Sequence, residues 1–375
     1  MRRTQYLHAK PAWQARVVGL MLGNLPLADY GRVVTRQLLA RVLVWMSVAR
    51  GTVADAPRRV GIGVCDETLR QALIASLPEV QQLPRLLKAS LAAWLPRARR
   101  ARKQRGFDVA IDLHHQPYYG KWQPGLFRGP AKLGTKFFWS IATAAIVHRG
   151  ERLTLAIVPV SSHRMDEVLV ALWPQLRKLG LKVRRLLLDR GFYSAEVVAW
   201  LHRRRVSFVM PMIHRGRLPR SGQAGTGTAP FFVRGRRGFG TYTWRLKRRD
   251  RRQVTVKVAI VPHTDRRRRP LVFAFAGRLP NLEYCRQIYK RRFGIETSYR
   301  QAKQSRGWTT SRDERWRRLL IVLSFVMRNV WLLVHEEEPR TSRTQQLTYI
   351  LFLDILAALL RLDLTQPQRG PPHPT

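Results

Sequence analysis

Apolar residues recur at helical spacing in three stretches of the first hundred positions, 33–47, 67–77 and 80–95, which predicts three short helices with Asp66 capping the second. On a basic background, such helices fit two descriptions. One is a helix-turn-helix that reads specific DNA, with Thr68, Arg70 and Gln71 near the start of its recognition helix; the other is a plain helical bundle. Residues 97–105, RARRARKQR, break the apolar pattern with almost continuous positive charge and read as a linker. From Phe107 the pattern changes character. FDVAIDL reads as a strand with acids at its end, and 137–148 and 151–160 as two apolar strands joined by a tight HRGE turn. An amphipathic helix over 166–179, a short buried strand over 183–188 ending in Asp189, a helix over 195–204 and a strand over 206–210 follow.

After Pro211 that order is interrupted. A stretch rich in Gly, Ser and Arg, 215–230, leads into three further strand candidates at 240–246, 253–262 and 271–277. The helical pattern returns at Asn281 and runs past Lys303, and two more apolar helices are expected over 313–335 and 344–360, before a proline-rich tail after Thr365. The expected partition is a helical, DNA-end-binding domain with its basic linker at 1–105, a catalytic domain at 106–213 and 281–336, a basic β-rich insertion at 214–280, and a C-terminal helix and tail at 337–375. Within the catalytic segments the order β-β-β-α-β-α-β is that of the ribonuclease H-like fold, an α/β class with a mixed sheet.

Composition sharpens the picture. Against 69 Lys and Arg stand only 23 Asp and Glu, a formal net charge of +46 over 375 residues. Such a surface repels itself strongly unless a polyanion lies beside it, and nucleic acid is the natural partner. Cys65 and Cys285 are too few for a disulfide framework or a structural zinc site, and fit a reducing cytoplasm. No continuous apolar segment of a signal peptide opens the sequence. The longest apolar run, 319–334, is interrupted by Arg328 and Asn329 and reads as a buried core helix rather than a bilayer span.

The candidate chemistry rests on carboxylates. Phosphoryl transfer with two divalent ions needs a few acids converging on one point, because hard cations prefer oxygen ligands and must bridge the attacking and leaving oxygens. Asp112 closes the first strand, and Asp189 closes one expected to lie beside it. A third acid is expected from a helix packed across that edge. Tyr289, Arg292, Glu296 and Lys303 follow the spacing Y-x2-R-x3-E-x6-K. At about 100° per residue these offsets fall within roughly 60° of one another on a continuous helix, so one face is expected to carry a metal ligand, two cations and a phenol.

That signature, with DLHHQPYYGK after the first strand and LLLDRGFYS at the second acid, resembles the DDE transposases of bacterial and archaeal insertion sequences, specifically the insertion sequence 4 type. The resemblance covers about residues 107–335. It implies that Asp112, Asp189 and Glu296 hold Mg2+ or Mn2+, two ions in all, and that Tyr289, Arg292 and Lys303 contact transposon-end phosphates. It implies double-stranded DNA as partner, both terminal inverted repeats and target, and a homodimer in the DNA complex. It also implies a β-rich insertion between the second Asp and the Glu. Some relatives stack a flipped base on a tryptophan shortly before the Glu helix; the insertion's one tryptophan here, Trp244, lies far upstream and is not assigned that role.

Neighbouring residues carry weaker signals. Arg190 and Tyr193 flank the second acid and are candidates to touch DNA. His114 and His115 read as surface or DNA-facing histidines rather than zinc ligands, for want of a second His/Cys cluster. Ser161, Ser162, His163 and Asp166 resemble a hydrolase triad in composition only, and Asn329 and Trp331 read as core residues. Two rivals use the same residues: another ribonuclease H-like nuclease without strand transfer, and a non-catalytic DNA-binding derivative of a transposase.

Overall fold

The computed structural model describes residues 11–101, 106–148, 152–245, 253–265, 267–337 and 347–365. The chain forms two compact units, each described by itself: Pro96–Pro117 with Leu126–Thr297, and Met1–Leu95 with Tyr118–Gly125 and Ser298–Thr375.

The first unit is a mixed α/β fold built on one sheet. Its strands are β1 (Phe107–Tyr118), β2 (Phe127–Lys132), β3 (Thr135–Ile146), β4 (Thr154–Val160), β5 (Val183–Leu188), β6 (Phe208–Pro211), β7 (Gly238–Arg245), β8 (Gln253–Val261) and β9 (Leu271–Ala276). They lie in the order β2-β3-β1-β5-β6-β9-β8-β7, with β4 also on β3. The central strands β1, β5 and β6 pair in parallel. Val109, Ala110, Ile111, Leu186, Leu187 and Leu188 are all essentially inaccessible, as expected of strands covered on both faces. Helix α7 (Met165–Lys178) packs on β4 and β3, and α8 (Ala195–Arg203), N-capped by the Ser194 hydroxyl, forms the crossover between β5 and β6.

Four expectations change here. The strand β2 was not anticipated: FRGPAK carries a proline and is mostly exposed, so it has no alternating apolar signature, and it pairs as an edge with the start of β3. Strand β1 does not end at Asp112 but runs to Tyr118 through the polar sequence DLHHQPY; its pairing with β5 ends one residue before Asp112, at Ile111 opposite Leu188. The charged run at 97 starts inside a helix, α6 (Leu95–Ala101), rather than a linker: Ala98 is buried and Arg99 Nε donates to the Leu179 carbonyl at 2.8 Å. The rest of the run, 102–105, lies outside the described residues, as do most of the HRGE turn and the proline-rich tail. Finally, the helix after Asn281 is broken. It divides into α9 (Leu282–Lys290), a single 3-10 turn over Arg291–Phe293, and α10 (Gly294–Lys303). Gly294 follows that tighter turn, so the arithmetic of one continuous helix fails across it. Strands β7, β8 and β9, from the segment expected to be an insertion, continue the same sheet outward from β6 by antiparallel pairing.

The second unit is helical. It contains α1 (Pro11–Asn24), α2 (Arg36–Ala49), α3 (Asp55–Val60), α4 (Asp66–Ala75), α5 (Leu83–Ser90), α11 (Glu314–Glu337) and α12 (Tyr349–Thr365). Asp66 is the first residue of α4, not its cap; Cys65 holds the capping position. In α11 the apolar window that is long enough to cross a membrane is 83% buried within the protein, packed as a core helix. Asn329 is inaccessible and its amide donates to Ser90 Oγ, while Trp331 Nε1 donates to the Leu347 carbonyl. Ser305 ties three helices together: its carbonyl accepts from the Ser47 hydroxyl, and its own hydroxyl meets Tyr349 Oη at 2.6 Å and the Ser324 carbonyl at 3.3 Å. Trp13 packs on Phe352, 5.7 Å between ring centres. The two ends of the chain thus share one core. Compactness divides the chain differently from the functional partition expected above, which concerns which residues bind DNA.

Candidate functional site

Parallel pairing of β1 with β5 makes Asp112 and Asp189 neighbours, each one residue beyond the last paired position. Asp189 opens a 3-10 turn, Arg190–Phe192, whose Phe192 N–H returns to the Asp189 carbonyl at 3.0 Å. That turn fixes the direction in which the chain leaves the sheet. Glu296 lies in the first turn of α10, four residues after Arg292.

Arg292 is where the three acids meet. Its Nη1 donates to Asp112 Oδ2 at 3.2 Å, and its Nη2 lies 3.3 Å from Glu296 Oε1 and 3.6 Å from Asp189 Oδ1. The Arg292 side chain is 7% exposed, against 16% for Asp112, 43% for Asp189 and 50% for Glu296. One nearly buried cation therefore faces three acids that open progressively toward solvent. Burial pushes the Asp112 carboxyl up to about 6, with the nearby Asp189 charge adding to the effect and Arg292 opposing it. Burial disfavours the Arg292 charge, yet Tyr289 and the three acids together hold its pKa above the ordinary value. Among the described residues no three His, Cys, Asp or Glu side chains stand close enough together to share one metal ion; the guanidinium separates the acids.

Tyr289 and Arg292 lie inside the protein. Tyr289 is 8% exposed; its hydroxyl donates to the Leu188 carbonyl at 3.4 Å and its ring packs on Phe273. Burial raises the pKa of this phenol well above its usual range. The Arg292 guanidinium lies 5.7 Å from the Tyr289 ring centre and 5.3 Å from that of Phe293. Arg190 and Lys303 are exposed, Lys303 as the last residue of α10.

A second acid on β1 had been passed over. Asp108 is 2% exposed and receives the Arg184 guanidinium through two contacts, with Arg291 at 3.5 Å. Asp108 and Asp112 are four residues apart, so a strand's two-residue period puts both on one face. Consecutive arginines 291 and 292 reach one each. The signal was in the sequence, two acids within FDVAID, but a buried acid without chemistry looks the same there as a strand-end cap.

The two histidines are not at the surface. His114 is buried, and His115 sits half-buried between Phe127 and Phe138 with Nδ1 2.6 Å from Ser140 Oγ. Each follows β1 inward because the strand continues past Asp112. Tyr193 is also buried, packed on Trp244 at 5.0 Å. No hydrolase triad forms around His163, whose Nε2 lies 2.8 Å from the Arg128 carbonyl. A cavity of about 570 Å³ lies apart from the acids, lined by His214, Arg217, Arg220 and Gln223.

Comparison with solved structures finds a piggyBac transposase synaptic complex with hairpin DNA, determined by cryo-EM, similar at a TM-score of 0.53 and 11% identity; the match covers 97% of this chain and 81% of that one. At that identity the likeness is one of fold. Comparison with curated proteins gives no match. The family model described as the Transposase DDE domain matches residues 110–330, more than half of the chain, a span that takes in Asp112, Asp189, Arg292 and Glu296. The chain belongs to the DDE transposase family.

Proposed function

We propose that this protein cuts DNA at the ends of an insertion sequence and joins those ends to target DNA, with Asp112, Asp189 and Glu296 binding divalent cations. The observation that carries the reading is the convergence of three acids, from the middle of β1, the end of β5 and the start of α10, on the single guanidinium of Arg292. Three carboxylates with no thiolate or imidazole form a donor set for hard, oxygen-seeking ions, Mg2+ or Mn2+. When bound, such ions supply Lewis-acid stabilisation of the attacking and leaving oxygens of phosphoryl transfer.

The chain's own residues do the rest. Attack of water on the phosphodiester at the element's boundary breaks one P–O bond and leaves a 3′-OH; attack of that 3′-OH on a target phosphodiester forms the new bond and releases a target 3′-OH. Lys303 and Arg190, both exposed, are assigned to the DNA backbone. Tyr289 steadies the strand end just before Asp189 through the Leu188 carbonyl, and Arg292 becomes available to phosphate once the acids have another cation. In the same reading the sheet with its flanking helices is a ribonuclease H-like core, and the Y-x2-R-x3-E-x6-K spacing puts the chain in the insertion sequence 4 type. The protein works on double-stranded terminal repeats as a homodimer in the cytoplasm, at the nucleoid. Net charge +46 supports the DNA partner.

The test is incubation of the purified protein with DNA carrying the repeats that flank its gene, in Mg2+ or Mn2+, with mapping of the new 3′ ends. Cleavage at the repeat boundary and joining to a second duplex are expected. Asp112→Ala, Asp189→Ala and Glu296→Ala should each fall to roughly a thousandth of the wild-type rate or less while still binding DNA. Full cleavage by any one of them removes that residue from the assignment.

A further inference from the structure

Each of the three acids is ion-paired to the same side chain, and the physical consequence concerns that side chain rather than the acids. A guanidinium presents its N–H groups in a rigid plane with two usable edges, so it can serve several carboxylates at once, whereas an ammonium is a point charge. Arg292 does this at 3.2, 3.3 and 3.6 Å from within a nearly inaccessible position. Without a cation among them, Asp112 would be buried beside the charge of Asp189 with nothing to offset either desolvation or repulsion. The two neighbouring arginines are already engaged, since Arg184 and Arg291 both face Asp108.

We propose that Arg292 is a built-in counter-ion: it holds Asp112, Asp189 and Glu296 together in the metal-free protein and must be displaced for a divalent cation to enter among them. This rests on the reading of those acids as metal ligands. The local structure gives the displaced side chain somewhere to go. Its Nε has no hydrogen-bond partner, so on that side the guanidinium gives up no hydrogen bond by moving. Phe293, 5.3 Å away, is 50% exposed, so the cation can move outward over that ring toward solvent and phosphate without giving up its aromatic contact. Metal loading and presentation of Arg292 to DNA are then two sides of one exchange. The protein gives up three ion pairs to gain the metal, so its apparent affinity for the metal without DNA is lower than the acids alone would provide.

The experiment uses the full-length protein without DNA. Mn2+ binding is measured by calorimetry, and melting temperature is measured in EDTA and in Mn2+, for wild type, Arg292→Met, Arg292→Lys and Asp112→Asn. Arg292→Met should melt lower than wild type in EDTA, be stabilised more by Mn2+, and bind Mn2+ about tenfold tighter or more. Arg292→Lys, with a single terminal nitrogen, should lie between the two. Should Arg292→Met not fold, tighter Mn2+ binding by Arg292→Lys carries the test. Unchanged or weaker Mn2+ binding in the folded Arg292 variants overturns the proposal. Asp112→Asn separates the two readings: if it loses Mn2+ binding while the Arg292 variants match wild type, only the counter-ion role falls, and if it binds Mn2+ as wild type does, the metal-ligand assignment falls with it.

Discussion

Arg291 stands 3.5 Å from Asp108, which ties the junction between α9 and α10 to β1 one residue before Arg292 reaches Asp112. The 3-10 turn at 291–293, between the two helices, carries both arginines. Two strand acids and two consecutive arginines thereby set where α10 begins, and with it where Glu296 stands.

Asp108→Ala is expected to destabilise the protein by about 2 kcal/mol in urea unfolding. Truncating one member of a buried ion pair costs several kcal/mol, but Arg184 and Arg291 are 37% and 41% exposed and regain water when released, which discounts the loss. End cleavage should fall as well, since α10 loses one of its two ties. Unchanged stability together with unchanged cleavage would show that Asp108 holds nothing in place.

The Asp112 carboxyl gives a pH signature. Its folded pKa is raised from 3.8 to about 6, so between those values the folded protein binds more protons than the unfolded chain. The contribution to stability is present below pH 3.8 and is lost as pH rises through 6, by about 3 kcal/mol at most. In chelator, Asp112→Asn should therefore melt above wild type at neutral pH, and the difference should close as pH falls toward 4. A difference that stays constant over this range would mean that Asp112 titrates as an ordinary surface acid.

Sequence preference is expected to depend on the exposed face of α4, where Thr68, Arg70 and Gln71 lie in the open and Arg70 pairs with Glu67. Arg70→Ala combined with Gln71→Ala should weaken discrimination between the element's ends and random DNA by roughly tenfold or more, with no change in melting temperature because the pair is fully exposed. Deleting the N-terminal helices is a poor substitute, since they share a core with α11 and α12. Equal discrimination by the double variant in competition binding would move sequence reading elsewhere.

DNA affinity should drop by roughly a thousandfold between about 50 and 200 mM salt, with most of the loss common to specific and random duplexes. The net charge of +46 motivates this. A shallow salt slope in titrations at several ionic strengths would show that the basic surface is not the contact.

The course of the chain was legible wherever period and length were strong. The apolar strands β3, β4, β5, β8 and β9 and helices α7, α8 and α11 stand within a few residues of expectation, because a buried strand or helix declares its faces in its own sequence. The nearness of Asp112 and Asp189 was legible for the same reason, since strand order brings the two together, whereas Glu296 was placed by a straight-helix reading that the turn at 291–293 does not follow. What was not legible depended on partners. FRGPAK becomes a strand only because β3 offers it an edge, and DLHHQPY only because β1 has already begun. The turn at 291–293 hides within a helical pattern that reads equally well straight through it. The inward positions of His114 and His115 belong to the extended β1 and that of Arg292 to the turn, and neither feature is written in local polarity.

The sharing of one helical core by residues from both ends of the chain has a consequence for synthesis. On the ribosome, residues 96–297 emerge and can pair their strands while 1–95 still lack the helices that cover them. Val17, Met21, Leu39 and Leu43, inaccessible in the finished protein, stay wet until α11 and α12 arrive. A chain stalled before residue 298 therefore leaves those apolar faces uncovered, the profile that chaperones retain and proteases remove. Completion of the helical core thus waits on translation of α11 and α12.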